Sequence, residues 1–304
     1  MRAYLYLSIT ALAWGGNAVA GKMAVGHISP FLLTSLRWLF ALLIVLPFAI
    51  GALKKDWPLV RANWKLLTAL GALGFTVFNG TLYLALNYTS TINVVIEQAG
   101  MPLVIFLANF VLLRIAVSPL QIVGFLLTLV GIAITVSNGD LATLLRLELN
   151  RGDALMLLAV LLYGGYTVAL RWKPAIHWLS LMTVLSAAAL AASIPLAIAE
   201  ARLGAMVVPD ATGWALVAYT ALFPSLIAQI LYIRGIELIG GNRAGLFINL
   251  VPIFGTILAV VILSEPLYAF HLVGLGLVLG GIALAERGKP KEKAAEAQPA
   301  GRSM

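Results

Sequence analysis

The chain has 304 residues, of which 62% are hydrophobic and 11% charged, with a net charge of +8 and no cysteine. A soluble domain cannot hide that much apolar surface, whereas a bilayer accepts it, and the lack of cysteine excludes disulfides, thiol chemistry and cysteine-ligated metals. The positive charge, which would suggest nucleic acid in a soluble protein, reads here as a topology signal, and neither a nucleic-acid partner nor a cofactor is expected.

Ten apolar spans follow one another: Tyr4–Gly21, Phe31–Leu53, Trp64–Asn87, Ile92–Leu113, Leu120–Val136, Ala154–Leu170, Trp178–Ile198, Trp214–Ile233, Ala244–Leu263 and Phe270–Ala285. Each is close to the roughly 20 residues that a helix needs to cross the hydrocarbon core, and a helix satisfies its own backbone polar groups in lipid. An all-α integral membrane protein of ten transmembrane helices is therefore expected, with the bilayer as its first partner. The start of the chain imitates a secretory signal, with Arg2, an apolar run and Ala18-Val19-Ala20 as a small-residue cleavage site.

The chain also matches itself. Trp64 aligns with Trp214, Pro102 with Pro252, Gly124 with Gly274 and Gly131 with Gly281, each 150 apart. Trp14-Gly15-Gly16 aligns with Tyr163-Gly164-Gly165 at 149, and Pro47 with Pro195 at 148. Five spans per half force the second half to enter the membrane from the opposite side, giving two inverted five-helix repeats, an architecture of secondary transporters. The divisions are residues 1–137, a periplasmic connecting loop 138–152, the second repeat 153–286 and a disordered cytoplasmic tail 287–304. Because cleavage at Ala20 would remove the partner of the sixth span, the repeat argues that the first span is retained.

With the N-terminus inside, the inner segments hold 15 Lys and Arg residues and the outer segments four, while Arg37 lies within a span. That asymmetry places both termini in the cytoplasm. No G-x-x-x-x-G-K-[ST] loop and no H-E-x-x-H pair occurs, so neither ATP-driven pumping nor a zinc site is indicated. His27, His177 and His271 lie near span ends and read as interfacial.

Polar residues deep in the spans are where function is sought, since burying them in lipid costs several kcal/mol unless they meet partners or water. Asn79 and Gln229, 150 apart, are two equivalent amides suited to gripping a substrate from the two halves. The alternative is that they only tie helices together. Pro102 and Pro252 remove a helical bond and free the carbonyls of Gln98 and Ile248, and Glu97, Gln98 and Asn249 sit beside these breaks. Trp14, Asn17, Tyr163 and Tyr166 lie by the paired glycines Gly15, Gly16, Gly164 and Gly165, where kinks are expected. Phe78 and Tyr83 flank Asn79, so this set would line a cavity for a ligand with an apolar body and a charged head. Arg37 either neutralises a substrate carboxylate or snorkels to the outer headgroups, and Glu97 either exchanges protons or pairs with Arg37 or Lys22. Glu265, at the outer end of the ninth span, has a structural role.

These residues carry a family resemblance. The Trp-Gly-Gly-Asn of Trp14 to Asn17, the Leu-Arg-Trp-Leu-Phe-Ala-Leu-Leu of Leu36 to Leu43, the Asn-Leu-Val-Pro-Ile-Phe of Asn249 to Phe254 and the Leu-Ser-Glu-Pro-Leu of Leu263 to Leu267 resemble the EamA-type exporters of the drug/metabolite transporter superfamily. Within it the chain is most similar to amino-acid exporters of the YddG type. The resemblance departs at Arg114-Ile115, where Glu265 has no acidic counterpart. It implies a central cavity opening alternately to the two sides, the fifth and tenth spans away from it, and export of neutral or aromatic amino acids across the inner membrane. Efflux of drugs, nucleosides or other metabolites is the rival reading. A membrane-embedded enzyme on lipid substrates would need clustered His, Asp or Glu at one face, which the sequence lacks, so no catalytic residue is assigned. A purely structural membrane protein would have its mid-span amides facing only neighbouring helices. Gly276-x-x-x-Gly280 permits close helix contact, as a homodimer face or within the chain.

Overall fold

A computed structural model of the chain describes residues 1–114, 118–140, 150–239, 244 and 247–288. The described residues form helices and no strand. In chain order these are α1 (Arg2–Met23), α2 (Pro30–Ala62), α3 (Trp64–Ala85), α4 (Thr91–Gln98), α5 (Met101–Leu113), α6 (Pro119–Val136), α7 (Arg151–Ala169), α8 (Trp178–Arg202), α9 (Ala211–Ile239), α10 (Phe247–Leu263) and α11 (Ala269–Arg287). The fourth span comprises both α4 and α5, so the ten expected spans are present. The expected tail beyond residue 288 and most of the connecting loop lie outside the described residues. Large apolar side chains such as Phe48, Val111 and Val261 are exposed on the outside of the bundle, as lipid-facing positions require.

The helices pack as two interlocked halves. The third span lies on the sixth as the eighth lies on the first, and the third on the seventh as the eighth on the second. α6 and α11 pair with each other, with Gly124 against the Gly281 carbonyl and Gly131 against that of Gly274. A side chain at any of these four glycines would strike backbone, so the repeat of glycines exists to let two backbones approach. Gly276 and Gly280 face open space instead, and packing of that motif within the chain is overturned.

Carboxylates from one half cap helices of the other half. Glu200 accepts the Ser29 hydroxyl at 2.6 Å and the Leu32 amide at 3.2 Å at the start of α2. Asp56 accepts the His177 amide at 2.9 Å at the start of α8. Glu265 accepts the amides of Thr91 and Ile92 at 2.8 and 3.1 Å, which is the structural role expected of it. Each anion meets unpaired N–H groups at a helix N-terminus, and each ties the repeats together where chain ends would otherwise fray.

Two local features depart from regular helix. α3 widens into a π turn at Gly71–Val77 and α9 does so at Phe223–Ile227, at matching places in the two repeats. The fourth span breaks at Ala99-Gly100, and α10 opens with a 3₁₀ turn at Phe247–Leu250. Pro102 and Pro252 therefore stand in the first turn of the helix after the irregularity, where a missing N–H costs nothing, rather than inside a kinked helix. At Gly15, Gly16, Gly164 and Gly165, where kinks are expected from the sequence, α1 and α7 run on without a break in the helix. Gly15 instead admits the Gly255 backbone, a Cβ there lying 2.7 Å from its nitrogen, and Gly164 admits Val104.

Candidate functional site

Four helices converge on Arg37. It stands on α2, two turns from the Ser29 end, and is only 4% exposed. Its Nη1 donates to Asn17 Oδ1 on α1 at 2.9 Å, and to Asn79 Oδ1 and the Tyr83 hydroxyl on α3 at 2.8 and 2.5 Å. Its Nε donates to the Ser225 hydroxyl on α9 at 2.7 Å. Tyr83 in turn donates to Asn17 Oδ1 at 2.8 Å, so the acceptors are themselves held. The snorkelling alternative fails, because a side chain bound on several sides in the interior does not reach the headgroups.

Every one of these acceptors is neutral. Among the described residues no carboxylate lies within ion-pair distance of Arg37, and no acceptor takes its Nη2. A guanidinium carries five donors and a full charge, so the set solvates the cation without neutralising it. The Trp38 ring offers partial compensation, its centroid 5.0 Å from the guanidinium carbon. From Trp38 a chain of rings leads away through the interior: Phe75 at 4.4 Å, then Tyr166 at 6.0 Å, Tyr163 at 5.2 Å and Phe78 at 4.5 Å. Charge and aromatic surface thus adjoin.

The π turns build this site. π turns recur at functional sites, and here an indole N–H donates to a carbonyl within each. Trp38 Nε1 donates to the Phe75 carbonyl at 3.3 Å and Trp14 Nε1 to that of Pro224 at 3.1 Å. Asn79 Nδ2 donates to the same Phe75 carbonyl at 2.7 Å, which aims its oxygen at Arg37. Ser225, placed by the second π turn, was not a sequence candidate; Pro224 beside it was the available signal.

The expected symmetry of Asn79 and Gln229 is not observed. Asn79 is fully engaged, whereas Gln229 is half-buried and makes no hydrogen bond among the described residues. Gln98 and Asn249, beside the two helix breaks, are likewise half-buried and without hydrogen bonds. Trp14 packs on Tyr232 with ring centroids 5.3 Å apart.

Glu97 pairs with neither Arg37 nor Lys22. Lys22 Nζ donates to the carbonyls of Leu86 and Thr89, each at 2.8 Å. Glu97 instead meets Asp153 of α7, an acid that the sequence reading did not single out. Both are 0% exposed. His271, in the first turn of α11, is buried and bonded to Asn93 at 3.1 Å. Asn93 and Glu97 are four apart on one helix, a spacing that would have marked their shared face. Among the described residues no cluster of metal-ligating side chains occurs.

Comparison with known proteins follows the same line. The sequence profile of the EamA-like transporter family matches residues 1–137 and 150–286. "Uncharacterized transporter YetK" of Bacillus subtilis is 28% identical over 302 residues, covering 99% of this chain and 90% of that one. "Uncharacterized transporter YyaM" of the same organism is 25% identical, covering 93% and 92%. An uncharacterized transporter of Archaeoglobus fulgidus is 26% identical, covering 93% and 96%. A solved crystal structure superposes with a TM-score of 0.60 at 21% identity over 93% of this chain and 96% of its own, a likeness of fold.

Proposed function

The chain belongs to the EamA-like transporter family, and from that premise we propose that it is a secondary transporter exporting small metabolites, neutral and aromatic amino acids foremost, across the inner membrane by alternating access. The observation that carries this reading is Arg37, a buried cation with neutral partners only. A substrate carboxylate at the unclaimed Nη2 would supply the missing charge, and a charge-assisted bond of this kind is worth about 1.5–3 kcal/mol. The rings from Trp38 to Phe78 suit the apolar body of such a substrate. Gln98, Gln229 and Asn249 keep polar atoms free for its ammonium group.

Movement follows from the repeats. When the two halves rock about a fixed site, each outer contact has an inner counterpart, and breaking one set while making the other exposes Arg37 to one side at a time. Both termini then lie in the cytoplasm.

Counterflow into liposomes containing the purified protein tests the reading, with a panel of radiolabelled amino acids and their decarboxylated amines. Saturable exchange of neutral or aromatic amino acids, but not of the amines, is expected. Arg37→Gln is expected to lower that exchange by roughly 10- to 100-fold, the equivalent of one charge-assisted bond. Equal exchange of the amines, or wild-type rates in Arg37→Gln, would turn the assignment toward drugs, nucleosides or other metabolites.

A further inference from the structure

The two junctions between the halves are related by the repeat, and they differ in chemistry. Outside, α4 packs on α7 and brings Glu97 against Asp153. Shifting these positions by the repeat offsets, 150 for Glu97 and 149 for Asp153, gives Phe247 and Tyr4. Those two residues also meet, with ring centroids 5.6 Å apart, at the inner junction of α10 and α1. One fold position is thus filled by two acids on one side of the membrane and by two aromatic rings on the other.

The acid pair is short of partners. Both oxygens of Glu97 and Oδ2 of Asp153 are buried with no hydrogen-bond partner outside the pair. Asp153 Oδ1 alone is satisfied, by the Thr89 hydroxyl and by Asn93 Nδ2 at 3.5 Å. Among the described residues no cation faces the pair. Lys22 of α1 is committed to carbonyls, Glu265 is committed to the amides of α4, and Arg151 of α7 is exposed. The described parts of α6 and α10, which also pack on α4, offer no titratable side chain. From α11 comes His271 alone. Its Nδ1 accepts the Tyr268 amide at 3.1 Å, so its Nε2 carries the hydrogen and donates to Asn93 Oδ1, leaving the ring neutral. That bond turns the amide hydrogens of Asn93 toward Asp153.

Two carboxyls in one dry site cannot both be ionised, since neither water nor a cation offsets the repulsion. We propose that Glu97 and Asp153 form a proton-binding site that holds the outer junction shut while it keeps its proton and parts the junction when the proton leaves. The carboxyl O–H bond breaks, water in the outer cleft takes the proton, and the carboxylate pair left behind repels. That cleft, about 410 Å³ and lined by Asn93, Thr89 and His271, reaches to the side chains that cover Asp153. The aromatic junction has no such response, so protons act on one side only. As a coupling device the site rests on the transporter reading; as a proton-operated contact it does not.

The natural absence of cysteine allows a test without any substrate. Val94 of α4 is fully buried in the same core cluster as Met156 and Ala159 of α7, and cysteine replaces valine there as another small hydrophobe. The full chain carrying Val94→Cys, in lipid nanodiscs, is reacted with a maleimide between about pH 5.5 and pH 8.5. Because a thiol becomes more reactive with pH by itself, rates are divided by those of Val208→Cys, which is 74% exposed on an outer loop. The ratio is expected to rise by up to about tenfold per pH unit, the limit for one linked proton. Glu97→Gln and Asp153→Asn, each isosteric, are expected to flatten it, and Ala3→Cys at the aromatic junction to stay flat. If one isosteric variant misfolds, the other carries the test. A flat ratio in the parent protein, a slope surviving both replacements, or an equal slope at Ala3 would overturn the proposal. Failure of counterflow with this slope intact would remove the substrate assignment and leave the proton site.

Discussion

At the scale of single residues, the site is a problem of charge solvation. Arg37 was visible in the sequence as a charge inside an apolar span, but its partners come from α1, α3 and α9 and share no sequence neighbourhood. Asn79 and Gln229 show the difference most clearly. Equal spacing made them look equivalent, yet Asn79 gives its oxygen to a guanidinium and Gln229 meets no partner among the described residues. Asn79→Ala is therefore expected to destabilise the fold by roughly 1–3 kcal/mol, the cost of an unmet donor in a buried site, while Gln229→Ala leaves stability unchanged. Thermal unfolding in micelles separates the two, and both are expected to lower counterflow. Equal losses of stability would mean that Gln229, too, is structural. Glu97 was legible as an acid close to the outer face, but Asp153 stood just outside the sixth expected span, and only packing brings the two together.

At the scale of elements, periodic features were readable and irregular ones were not. The glycines of the fifth and tenth spans announced themselves by their spacing, and the structure uses them to bring α6 and α11 into contact. Gly281→Val is expected to lower stability by about 1–3 kcal/mol through forced separation of the helices. Gly276→Val, facing open space, is expected to change little, and melting temperatures of the two variants decide the matter. The π turns left no such trace, because widening a helix by one residue changes hydrogen bonding and not hydropathy. The prolines pointed to the right places but to the wrong geometry, since a proline is compatible both with a kink and with the first turn of a new helix.

The N-terminal end of α9 adds a dependence on pH. Asp210 accepts the Gly213 amide at 2.8 Å, and that bond first, then the His27 contact, holds its carboxyl below the ordinary 3.8. A lowered carboxylate stabilises the fold at any pH above its ordinary value and loses that contribution as pH falls through the lowered one. Asp210→Asn still accepts the amide and is expected to flatten this acid limb, as read from melting temperature between about pH 6 and pH 3. An unchanged limb would assign it to other carboxylates.

At the scale of the whole molecule, the inverted repeat makes a topology that labelling can read. Outer-loop cysteines at Val208 and Leu267 are expected to react with an impermeant reagent in intact cells, and one at Lys173 only after permeabilisation. Labelling of all three from one side would contradict the inverted arrangement. By itself the sequence determined the helical membrane class, the ten spans, the two halves and the family, because hydropathy, helix length and a repeat offset are properties of the linear chain. Only the tertiary structure decided which in-span polar groups are satisfied, which remain free and which acids face each other. Those outcomes depend on contacts between residues far apart in the chain, as Arg37 and Ser225 are at 188 positions, which no local pattern encodes.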